Sequence, residues 1–239
     1  MRRVAILILA MFFAGAPGAN GQILKDAQKF VKKSIGTTGI TQDEAASAIK
    51  EALNKGINKG VDIVSRENGY FGDLEIKIPF PEEAKSVENK LRAMGMGKKV
   101  DEVVLAINRA AEDASVKARD IFITAIKQMT VNDAINIVNG NDDAATKYLQ
   151  SHTTNDLVKQ FRPLIDESLN KVNATKYWSE IMNTYNKIPL VQKVNPDLGD
   201  YVTRKAIDGL FVKIAHEEKE IRQNPAARTS ELLKKVFGK

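Results

Sequence analysis

Arg109 and Glu112 come nearest to chemistry in this chain. Three residues apart on a helical stretch, they are surface neighbours, and an arginine beside a carboxylate can hold an anionic ligand or move a proton. The same pair can serve as an internal salt bridge that fixes helix register, and that structural use is the stronger reading. Asp208 and Arg228 are further charged side chains set among apolar helix positions. Tyr177 and Trp178, followed by Ile181, Met182 and Tyr185, form the densest aromatic cluster, with Lys176 and Asn183 beside it. Such a cluster can shape a cleft, although at helical spacing it more often makes core. The candidate ligand-binding set is therefore Arg109, Glu112, Tyr177, Trp178, Asp208 and Arg228.

Most familiar catalytic arrangements are excluded by what these residues lack around them. His216-Glu217-Glu218-Lys219-Glu220 opens like a zinc-protease helix but has no second histidine at the required position, and His152 is the only other imidazole. Asn139-Gly140-Asn141-Asp142-Asp143 has the composition of a calcium loop without its alternating ligands or its twelfth-position glutamate, so it reads as a helix stop and start. Zero cysteines remove disulfides, thiolate metal sites and cysteine nucleophiles. No nucleophile elbow, phosphate-cradling glycine loop or dinucleotide fingerprint is present, and no metal or cofactor is expected. A hydrolase of envelope glycans would have to use carboxylates such as Glu112 and Asp208. With 30 Asp and Glu in the chain, any chosen pair is unspecific.

The elements that would position these residues are helical. A stripe of Ala45, Ile49, Ala52, Leu53, Ile57, Val61 and Val64 after Thr41 and Glu44, a capping-box signature, predicts a helix to about Arg66. Gly56 and Gly60 lie on that face, where each costs about 1 kcal/mol in a helix interior, so another helix must approach closely there. A turn-rich loop, Asn68 to Asp73, leads to Leu74-Glu75-Ile76-Lys77-Ile78, whose alternation predicts one short extended segment with no second strand to pair with. Tyr70 and Phe71 beside it read as core plugs. A helix follows from Pro81 to about Met94, closed by Gly95-Met96-Gly97.

Lys98 to Met129 is the longest periodic stretch, roughly 45 Å if unbroken at 1.5 Å per residue. Leu105, Arg109, Glu112, Val116 and Ile123 lie nearly opposite its main apolar stripe, which predicts a central helix covered on both sides. Shorter helices are expected from Asp133 to Val138 and up to Leu149. Thr154 is expected to cap another that kinks at Pro163, followed by the aromatic one around Trp178, a long one from Leu198 to Arg222 and a short one after Thr229-Ser230-Glu231. The fold class is all-α: a single helical domain of about eight helices around a long central helix, with one short extended segment.

The first 21 residues set the location. Arg2 and Arg3, the apolar run Val4 to Ala16, and Ala19 and Gly21 at positions −3 and −1 of a cut before Gln22 make a secretory signal peptide, too short in its apolar part to span a bilayer. The domain would then be residues 22–239, exported to the periplasm or cell envelope. Losing residues 1–21 removes two arginines and takes the formal charge from +6 to +4. That mild, interspersed charge argues against nucleic acid. The first exported segment, residues 23–35, is a short basic amphipathic helix. It docks on its own domain through Phe30 and Val31 or lies on an anionic membrane surface, with docking the preferred reading.

Several strings, in order along nearly the whole exported chain, resemble a bacterial family catalogued as domain of unknown function 4197. They are Asn68-Gly69-Tyr70-Phe71-Gly72 with Ile78-Pro79, Asn108-Arg109-Ala110-Ala111-Glu112, Gln128-Met129-Thr130, Gly140-Asn141-Asp142-Asp143-Ala144-Ala145-Thr146, Ala206-Ile207-Asp208-Gly209-Leu210-Phe211 and Pro225-Ala226-Ala227-Arg228-Thr229. The resemblance implies an exported, largely helical single domain and carries over no activity, cofactor or catalytic residue. The function expected is a non-enzymatic envelope protein that binds another protein or an envelope component. A carrier of an apolar or amphipathic small molecule between helices is the alternative.

Overall fold

The structure, a computed structural model, describes residues 41–187, 189–191 and 193–237. Residues 1–21, expected to be a signal peptide, and the expected basic helix 23–35 lie outside the described residues. Those residues are helical, with no strand among them: α1 (Gln42–Ser65), α2 (Lys85–Leu91), α3 (Gly97–Ser115), α4 (Ala118–Gln128), α5 (Val131–Val138), α6 (Ala144–Lys171), α7 (Ala174–Tyr185), α8 (Leu198–Gln223) and α9 (Glu231–Phe237). Short 3-10 turns at Glu82–Ala84 and Pro225–Ala227 lead into α2 and α9, and a π turn at Arg92–Met96 joins α2 to α3. The all-α class is as the periodicity requires.

The centre of the fold is α8, which packs on α6 and α1 and also on α3 and α7. Its contact with α1 is as close as the glycines demanded. A Cβ at Gly60 would lie 3.3 Å from Ile214 Cγ1, and one at Gly56 3.4 Å from Glu217 Cβ. On α6 the buried residues Ala145, Leu149, Thr153, Leu157, Phe161, Ile165 and Leu169 recur every fourth position. Each such step overshoots a 3.6-residue turn by roughly 40°, so the stripe winds around the helix. Different partners cover it along its length, namely α8, α3, α4, α5 and α7.

Three expectations are corrected. The stretch Lys98 to Met129 is two helices: Lys117 N–H bonds back to the Ala114 carbonyl at 3.0 Å, a tightened turn. The Ser115 hydroxyl meanwhile donates to the Ala111 carbonyl at 2.7 Å, the back-bonding that bends helices. Neither is it covered on both sides, since Leu105 and Val116 are exposed. Thr154 caps nothing, because α6 runs straight through it: Thr153 and Thr154 donate to the Leu149 and Gln150 carbonyls at 2.7 and 2.6 Å. The apolar ladder continues across them and past Pro163.

The extended segment is an ordered loop folded into the core. Ile76 and Lys77 N–H groups return to the Asp73 carbonyl at 3.2 and 2.8 Å, closing a turn, and only the chain from Lys77 to Pro79 runs free of turns. The partner that a strand would have supplied is a side chain. Asn108, fully buried, accepts from Ile78 N–H at 2.8 Å and donates to the Ile78 carbonyl at 2.8 Å. The main-chain polar groups that Ile78 takes into the core are thereby satisfied.

Candidate functional site

The residues singled out by type fall at four separate places. Arg109 and Glu112 sit on α3 against the loop that follows α1. Glu112, 3% exposed, accepts the Tyr70 and Phe71 N–H groups at 3.0 and 3.1 Å on one oxygen and the Arg109 guanidinium on the other. Arg109 also donates to Glu67 at 3.1 Å and Asn68 at 3.0 Å. The pair is thus a clamp on the 67–71 turn. Tyr70 beneath it is fully buried, its hydroxyl donating to the Ala206 carbonyl on α8 at 2.6 Å. Burial holds that phenol well above its ordinary titration range.

Asp208 is exposed on α8, facing a hollow of about 310 Å³ whose lining mixes Ile76, Ile78 and Phe80 with Glu75, Lys77, Glu83, Tyr201 and Lys205. Burial, then Glu83 and Glu82, pushes the Tyr201 phenol up to about 12, so it stays a donor to the Pro79 carbonyl at 3.0 Å. Glu112 is not part of that hollow's lining, so the two carboxylates do not face one substrate space. Arg228 closes α8: its guanidinium donates to the Ile221 and Arg222 carbonyls at 3.0 and 2.6 Å, where a cation meets the negative end of a helix.

Tyr177 and Trp178 lie elsewhere, on α7, and they help form an apolar groove of about 260 Å³. Trp178 is its floor, 4% exposed, with Phe80 packed edge-on at 5.4 Å between ring centroids and its indole N–H donating to the Asn195 carbonyl at 3.1 Å. Asn186 secures the chain behind it, accepting from Val194 N–H and donating to the Val194 carbonyl at 2.9 and 2.7 Å. Val100 and Met182 complete the floor. Leu91, Met96 and Val103 come from the α2–α3 hairpin, Tyr177 and Ile181 from α7. The rim is open: Tyr177 is 57% exposed and Ile181 37%. The hairpin's bend is made by Gly95, whose φ of 80° favours glycine.

One lining residue is charged. Lys99 stands on the groove's edge, exposed, with no carboxylate partner among the described residues. Arg92, the nearby cation, is committed to Glu88 at 2.9 Å and Asp101 at 2.8 Å. Burial opposes ionisation of Glu88, but hydrogen bonds from Lys85 and Arg92 overcome it and hold its carboxyl below the ordinary range.

Two clusters escaped the sequence reading. Lys213 on α8, nearly buried, lies between Asp73 at 2.6 Å and Glu75 at 2.7 Å, and Glu75 also meets His216 at 3.1 Å. Burial would lower the Lys213 ammonium, yet the bonds to the two carboxylates outweigh it and the net shift is upward. Glu218 accepts Ala145 and Thr146 N–H groups at 3.0 and 2.9 Å and pairs with Arg222 at 2.9 Å. Its carboxylate therefore occupies the positive end of α6. Both clusters were hidden because their members are separated by more than seventy residues.

The family model described as Protein of unknown function (DUF4197) matches residues 39–238, and the chain belongs to that family. No curated protein and no solved structure matches it.

Proposed function

We propose that this member of the family is a non-enzymatic binding protein of the cell envelope, and that it binds through the apolar groove between α2, α3 and α7. The observation that carries the reading is a contrast between the groove and the charged clusters. Glu112, Glu218 and Arg228 are each engaged with main-chain groups and Lys213 with the Asp73 and Glu75 carboxylates, as pins that hold loops and helix ends. The groove is a concave apolar surface with its rim open and one cation, Lys99, at its edge, the kind of feature that marks ligand sites. Export by residues 1–21 belongs to the same proposal.

The test is native mass spectrometry of the protein purified gently from its own envelope fraction. The expected spectrum shows the chain beginning at Gln22 with an added mass of a few hundred daltons. A bare chain, coupled with no change in Trp178 emission when alkyl-chain compounds are titrated in, would overturn the reading.

A further inference from the structure

We infer that the groove takes a single-chain alkyl carboxylate, with its hydrocarbon laid over Trp178 and Val100 and its head group at Lys99. The inference rests on the groove being the binding site and goes on to name the ligand class. The first argument is the lining. Phe80, Leu91, Val100, Val103, Ile181 and Met182 offer no hydrogen-bonding side chain, and the Tyr177 phenol belongs to the exposed rim, so a polar group buried against the floor would lose its water without gaining a partner. The part of the ligand that enters must therefore be hydrocarbon.

Size is the second argument. About 260 Å³ lies just under the roughly 300–1,000 Å³ of sites for drug-sized ligands. A space of that size suits one alkyl chain. Met96 and Met182 line it from opposite elements, and unbranched thioether side chains adapt to chains of different length.

Charge is the third. Lys99 is the one charged side chain in the lining and has no carboxylate partner among the described residues, while Arg92 is held by Glu88 and Asp101. A single ammonium complements a singly charged head group. A phosphate monoester, nearer to two charges, would be better matched by a second cation, and Arg92 is already committed to Glu88 and Asp101.

Trp178 is the only tryptophan in the chain and forms the groove floor, so its emission reports occupancy directly. Decanoate, decylamine and decanol are titrated below their aggregation limits into the wild type, Lys99→Gln and Lys99→Glu, with circular dichroism as the check on folding. The expected result is a saturable emission change with decanoate and binding about ten-fold weaker for decylamine. Lys99→Gln should weaken decanoate about five-fold, and Lys99→Glu should reverse the order of the two charged probes. Equal binding of all three, or decanoate binding unchanged in Lys99→Gln, overturns the carboxylate assignment while leaving the groove as an apolar binding site. No saturable change with any probe overturns both.

Discussion

The backbone N–H of Tyr70 donates to Glu112 Oε1 at 3.0 Å, joining the loop after α1 to the last turn of α3 across 42 residues of sequence. The same oxygen takes the Phe71 N–H, and the other takes Arg109. A buried carboxylate with three donors is stable only while all of them are present. Removing it leaves two main-chain N–H groups without their acceptor, while Arg109 keeps Glu67 and Asn68. Glu112→Ala is expected to lower the unfolding free energy by about 2–4 kcal/mol, read as a shift in the urea midpoint. A loss within ~0.5 kcal/mol would mean that the clamp contributes nothing.

Gly209 offers a test of the same junction from α8. A Cβ there would come within 2.7 Å of the Tyr70 ring and 3.1 Å of Ile76 Cβ. Alanine improves helix propensity by about 1 kcal/mol, but it must displace a fully buried tyrosine, and overpacking of that kind costs about 1–3 kcal/mol. Gly209→Ala should therefore be destabilising on balance, with Tyr70→Phe in the same background restoring little, since the clash is with the ring. A melting temperature at or above wild type would show that the loop yields freely.

Glu88 makes the α2–α3 hairpin sensitive to acid. Lys85 and Arg92 hold its carboxyl below the ordinary value of about 4.5 in the folded state. A depressed folded pKa means that the unfolded chain binds the proton first, so the stabilisation is complete above pH 4.5 and falls away as pH drops through the folded value. Glu88→Gln should flatten the stability curve in that window only. Equal slopes for wild type and variant below pH 4.5 would remove Glu88 from the account.

The helices were readable because their patterns are local, and the departures trace to interactions that are not. The every-fourth ladder from Ala145 to Leu169 is visible in the sequence, but Thr154 resembles a cap until its hydroxyl is seen donating to Gln150. The tightened turn after Ser115 keeps helical backbone angles at Val116 and Lys117, so no glycine or proline announces it. Leu74 to Ile78 read as one short extended segment with no strand to pair with, and what pairs with Ile78 is the side-chain amide of Asn108. Arg109 and Glu112 were legible as a pair by spacing, though what they hold was not. Tyr177 and Trp178 were legible as aromatics, but their groove was not. Its walls come from three helices and the residue before Pro81, and none of its lining residues falls in the strings that carry the family resemblance.

The groove's rim allows binding to be separated from folding. Ile181 is 37% exposed at the edge, while Trp178 is buried beneath it and held by Phe80 and Asn195. Truncating Trp178 to alanine removes floor and core together and should cost about 3–5 kcal/mol, which makes it a poor probe of function. Ile181→Glu leaves the core untouched and puts a carboxylate beside the hydrocarbon path, where it must be desolvated or must exclude the ligand. The expected outcome is a melting temperature within a few degrees of wild type together with at least ten-fold weaker binding of decanoate, followed by Trp178 emission. Undiminished binding in a folded Ile181→Glu protein would place the ligand elsewhere. A collapse of stability would mean that Ile181 belongs to the core, and the argument from the rim would fail with it.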